Sequence, residues 1–185
     1  MREYIQQVRE QEWQPLPTWA AASWVVFYMF FLWTAFRGSG VLLMIDNVNL
    51  VVHEGGHLLF GWFGQTLGIW GGTIFQCLVP FLLAVFFFTQ RQPQGFAFCA
   101  FFFFENWLGI GTYMADARAM ELPLVTVGDP DLAEHDWHWI FSQWGLLEYD
   151  TRIGGNVRFL GFCGMIGVIA WLGWRACRDQ QALRG

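Results

Sequence analysis

The stretch Val51-Val52-His53-Glu54-Gly55-Gly56-His57-Leu58-Leu59 places an H-E-x-x-H signature inside an apolar segment that runs from about Val41 to Phe63. Residues four apart on a helix share a face, so His53 and His57 can present two imidazoles to one metal ion. Glu54 lies about 100° further round, beside the open metal position rather than behind it. A hydrolytic zinc site needs this arrangement: two ligands, a third from elsewhere, and a carboxylate that takes a proton from water. In a segment apolar enough to span a bilayer, a Glu and two His are costly unless they act.

The rest of the composition agrees with a membrane setting. The 185 residues are 55% hydrophobic and 19% aromatic, with only 14% charged, a mixture that a soluble domain would struggle to hide. Twenty Phe and twelve Trp suit a lipid-facing surface with interfacial belts. All ten basic residues are Arg and they are scattered, so no basic patch forms and nucleic acid is excluded as a partner. Cys77, Cys99, Cys163 and Cys177 are far apart and make no C-x-x-C pair, which argues against both a disulfide framework and a cysteine zinc site. The N-terminus lacks the short basic start and small-residue cleavage site of a secretory signal, so the first apolar run is expected to remain as a span.

Taken in order, residues 1–18 form a short lead and residues 19–36 a first span. The segment 41–63 follows, carrying the signature, and then spans at about 67–88 and 95–115. The mid-span Pro80 frees a backbone carbonyl, which is tolerable where a neighbour satisfies it. The segment 135–147 is too short and polar for a lipid-exposed span, and reads as a helix that packs into the bundle or re-enters the membrane. A glycine-rich last span, 157–174, precedes the tail at 175–185. The expected fold is therefore all-α: one membrane-embedded domain over residues 1–185, a polytopic bundle of about five to six helices. Lipid is its surroundings, in a multi-pass location such as a bacterial inner membrane. The arginines divide too evenly between the two sides to orient it.

Several polar residues sit inside these apolar segments. Asp46 and Asn49 share the His53/His57 face, and either could accept the second N–H of a ligand imidazole. Glu105 lies ten residues into an apolar run and should face protein or a water-filled cavity. The remaining two histidines fall in Glu134-His135-Asp136-Trp137-His138. That cluster is the expected source of the third ligand, from Asp136, His135 or His138, with Asp116 a further candidate.

H-E-G-G-H in an apolar helix, then a glycine-rich turn and an apolar helix with Cys77-Leu78-Val79-Pro80-Phe81-Leu82, resembles the site-2 protease family of intramembrane zinc metalloproteases. The resemblance covers roughly residues 45 to 85. It implies Zn2+ held by His53 and His57, Glu54 as the catalytic base, and Asp136 as the counterpart of the family's Asp ligand, although Trp137 follows it where the family has Gly. It also implies hydrolysis of a membrane-protein substrate in or near the bilayer. Two other function classes stay open. One is an accessory or structural subunit of a larger membrane complex, with the histidines on a structural metal or a pigment and partner subunits around it. The other is a hydrolase or transferase acting on a lipid.

Overall fold

The computed structural model describes residues 6, 8, 10–38, 43–122 and 135–184, with the backbone alone for 43–46 and 182–184. The side chains of Asp46 and Glu134, and most of the loop 121–134, thus lie outside the described residues. Among those described there is no strand. In chain order the helices are α1 Thr18–Arg37, α2 Leu43–Gly61, α3 Gln65–Thr89, α4 Pro93–Ala115, α5 Asp136–Trp144 and α6 Asp150–Arg184, with a 3₁₀ turn at Leu147–Tyr149 before α6.

Among the described residues, three helical stretches are long and apolar enough to cross a membrane: Thr18–Arg37, Gln65–Thr89 and Leu147–Gln181. Large hydrophobics face outward along them and at the turns, with Trp19, Phe36, Trp62 and Phe63 more than two-thirds exposed. The last helix is longer than its apolar stretch of 157–174, because the polar residues on either side of that stretch include no proline and continue the helix. By contrast, α5 has nine residues, about 14 Å of helix, and cannot cross a hydrocarbon core of about 30 Å.

The chain folds as two compact units. One comprises Met1–Gly40, Val79–Phe103 and Cys163–Gly185. Aromatic stacking organises it: Tyr28, fully buried, stacks on Phe101 at 4.5 Å, and Trp13 meets Phe88, Phe96 and Trp171. Polar contacts tie its segments together, with Asp179 accepting from the Leu16 backbone and pairing with Arg175. The other comprises Val41–Leu78 and Phe104–Phe162 and contains the whole signature. Its core gathers Ile110, Met114 and Ala117 with Trp137, Ile140 and Phe141 of α5.

Within this second unit α2 and the start of α3 form a tight hairpin. The chain turns at Gly61–Gly64, where Gly64 takes φ 108°, a conformation that L side chains rarely adopt. Past the turn the two helices approach backbone to backbone. A Cβ on Gly56 would collide with the Gly71 carbonyl, and one on Gly71 would come within 2.6 Å of the Gly56 oxygen. The two inner residues of H-E-G-G-H therefore differ, since a Cβ on Gly55 would meet only Phe75, at 3.8 Å. Gly56→Ala is expected to destabilise the protein by about 1–3 kcal/mol through overpacking. Gly55→Ala should be neutral or stabilising, since Ala is favoured over Gly in a helix by up to about 1 kcal/mol. Denaturation of the two variants side by side in detergent checks this, and equal behaviour would contradict the packing described.

Candidate metal centre

The hairpin sets two matching stripes against each other. His53 and His57 lie one turn apart on α2, and Gly68, Gly72 and Gln76 lie one turn apart on α3. Each imidazole is held at its Nδ1: His57 Nδ1 lies 2.8 Å from the Gly68 carbonyl oxygen, and His53 Nδ1 lies 3.1 Å from Gln76 Oε1. The Nε2 atoms then converge above Gly72, where a Cβ would sit 2.5 Å from one and 2.6 Å from the other. Glycine at this position leaves the space in which the two rings meet.

The third donor comes from α5. Asp136 is the first residue of that helix, where the N-terminal dipole favours a carboxylate. Its backbone N–H, which has no partner inside the helix, donates to Tyr113 Oη at 3.2 Å. So placed, Asp136 Oδ2 lies 2.9 Å from His53 Nε2 and 3.2 Å from His57 Nε2. His53, His57 and Asp136 form a group whose three ligand atoms all lie within 4.8 Å of one another and could hold a metal ion.

The chemistry of this donor set suits a cation. A carbonyl oxygen only accepts, so Nδ1 of His57 carries a hydrogen and Nε2 is the atom left for a ligand. That nitrogen faces a carboxylate oxygen. Contacts this short need a positive charge between nitrogen and oxygen, either a proton on each imidazole or one metal ion shared by both. Zinc with bonds of 2.0–2.1 Å in tetrahedral geometry sets neighbouring donors about 3.3 Å apart, close to the separations seen. A ligand imidazole also normally donates its other N–H to a protein oxygen, as His57 does. The residues fit a divalent ion of the zinc type.

Exposure is uneven around the group. The side chains of His53 and Asp136 are 9% and 8% exposed and that of His57 is 26% exposed, so the group opens on its His57 side. Glu54, half-buried on α2, lies close enough for its charge to act on both His57 and Tyr113.

The other residues singled out from the sequence lie apart from the group. His135 is the N-cap of α5: its Nδ1 accepts from the His138 backbone N–H at 3.2 Å. Its hydrogen is therefore on Nε2, which faces Asp116 Oδ2 at 3.4 Å, so its lone pair is already in use. Burial pushes the His135 imidazole below its usual value, against the pull of Asp116. His138 Nδ1 is bonded to the Ala117 carbonyl at 2.8 Å, and Asp116 also accepts from the backbones of Glu121 and Leu122. Asn49 donates to the buried Glu105 at 3.2 Å. The imidazole partners are instead Gln76 and the Gly68 carbonyl, which the sequence reading did not single out. One signal was available: His53 lies eleven residues before Gly64 and Gln76 twelve residues after it, which sets them nearly opposite in an antiparallel hairpin.

Comparison with protein-family models, characterised proteins and solved structures finds no match to this chain.

Gly72→Ala tests the convergence above α3. The change adds a methyl group where both Nε2 atoms meet, and it also favours the helix by up to about 1 kcal/mol. The protein should stay folded while its zinc affinity falls at least tenfold, a loss of the size seen when the support of a metal ligand is removed. Zinc titration of the folded variant reads this directly, and parent-like affinity would contradict the geometry.

Proposed function

We propose that this chain is a multi-pass membrane hydrolase of the site-2 protease type, holding zinc through His53, His57 and Asp136 and cleaving peptide bonds in or at the edge of the bilayer. The observation that carries the reading is the convergence of two imidazole nitrogens and a carboxylate oxygen on one point, with Glu54 beside them. Three apolar helices support a membrane location, and in this reading the more polar α2 and α4 cross beside them.

Zinc, when bound, polarises a carbonyl and makes water more acidic at neutral pH. The chain's own residues do the rest. Glu54, a helix position away from the histidine face, accepts the proton of the attacking water on its carboxylate and delivers it to the leaving amine nitrogen. Asp136 and the two imidazoles hold their places through Tyr113, Gln76 and the Gly68 carbonyl. Burial around His53 and Asp136 keeps bulk water out, and the open His57 side admits substrate and a single water.

A carboxylate in the place of Glu54 is what a hydrolase uses and a purely structural metal site does not. Glu54→Gln, assayed against helical membrane substrates in proteoliposomes, should retain the full zinc complement and lose activity by at least about 10²-fold. Loss of zinc in that variant would make Glu54 a ligand. Undiminished cleavage would remove it from the chemistry. A parent that binds zinc but cleaves nothing would favour an accessory subunit.

A further inference from the structure

Pro80 lies inside α3, four residues after Gln76. Proline has no N–H, so the Gln76 main-chain carbonyl lacks its usual intrahelical donor. The Asn106 side chain on α4 takes that place: its Nδ2 donates to Gln76 O at 3.3 Å. Gln76 and Asn106 are 8% and 3% exposed, so there is little solvent to serve these groups instead.

One fixed acceptor then orders the whole chain of bonds. A carbonyl oxygen cannot donate, so the Asn106 amide must turn its NH₂ towards it. Asn106 Oδ1 is thereby left facing Gln76 Nε2, from which it accepts at 2.8 Å. The Gln76 amide is now fixed in turn, with Oε1 directed at His53 Nδ1 at 3.1 Å. An oxygen there accepts, so His53 must carry a hydrogen on Nδ1, which leaves Nε2, 2.9 Å from Asp136 Oδ2, as the atom that can coordinate once it gives up any hydrogen of its own.

We infer that Asn106 and Gln76 are positioning residues that set the tautomer of His53 from the carbonyl freed by Pro80. His57 needs no such relay, because the Gly68 carbonyl acts on it directly. The geometry of the relay stands independently of any metal, and its consequence for function rests on the metal-centre reading. With the relay intact, His53 is ready to coordinate. Without it, the Gln76 amide can turn its NH₂ to Nδ1, which moves the imidazole hydrogen to Nε2 and blocks coordination.

The relay predicts a specific pattern of coupling. A carboxylate in place of the Gln76 amide accepts from His53 whichever way it turns, so it needs no partner to orient it. Asn106→Ala should lower zinc affinity about 10–100-fold in the parent, and by clearly less in a chain that also carries Gln76→Glu. In the metal-free full-length protein in micelles, ¹⁵N resonances of the His53 ring should show Nδ1 protonated, whether or not Nε2 also carries a hydrogen towards Asp136. That protonation should be lost in Asn106→Ala and restored in the double variant. An unchanged tautomer and unchanged zinc affinity in folded Asn106→Ala would overturn the relay, as would equal losses in both backgrounds. If Asn106→Ala does not fold, Gln76→Glu alone decides: retention of the Nδ1–H form supports the relay and a shift to Nε2–H overturns it. A parent that shows the Nδ1–H form yet binds no zinc would support the relay while refuting the metal centre.

Discussion

Three electron-rich atoms meet at one point in this protein: Nε2 of His53, Nε2 of His57 and Oδ2 of Asp136. Water is largely excluded from two of the three side chains, so these polar atoms depend on the proton or ion that lies between them. Buried acceptors are expensive unless something positive satisfies them. The remaining features of the second unit either bring these atoms together or keep their lone pairs pointed at the common centre. Gly56 and Gly71 let α2 and α3 touch, Gly72 leaves room for the rings, and the α5 N-terminus with Tyr113 delivers the carboxylate.

The support for the site is layered and made of main-chain atoms wherever the fold permits. The Gly68 carbonyl holds His57, the Asp136 N–H anchors its own residue, and the freed Gln76 carbonyl starts the relay to His53. A main-chain carbonyl cannot rotate away or reverse its polarity, whereas a side-chain amide can. This is why the glutamine relies on an asparagine and the glycine relies on nothing. Pro80 belongs to the same scheme. A helix interior is an unfavourable place for proline, and here the carbonyl it releases has a use.

Much of the centre was legible in the sequence because helix periodicity is local. The His53 and His57 pair follows from spacing alone, and the short α5 segment was separable from the spans by its length and polarity. What periodicity cannot give is the contact between one helix and another. Asn49 shares the histidine face, yet it donates to Glu105, because α4 and not the histidine stripe lies against it. The choice between Asp136 and His135 likewise depends on which residue caps α5: the N-cap uses the imidazole lone pair of His135 and leaves the next residue's carboxylate free. Hydropathy marks the apolar stretch 157–174 and not the whole of α6, because the helix continues through polar residues at both ends.

The most direct test of the account is the metal itself. Zinc X-ray absorption on the purified full-length protein in detergent should show one ion per chain, with two imidazole nitrogens and oxygen in the remaining positions, at bond lengths of about 2.0–2.1 Å. The imidazole contribution should disappear in a His53→Ala/His57→Ala variant that remains folded. A protein that takes up no zinc from a competing chelator, or whose zinc is bound by sulfur, would contradict the claim that these three side chains form a metal centre.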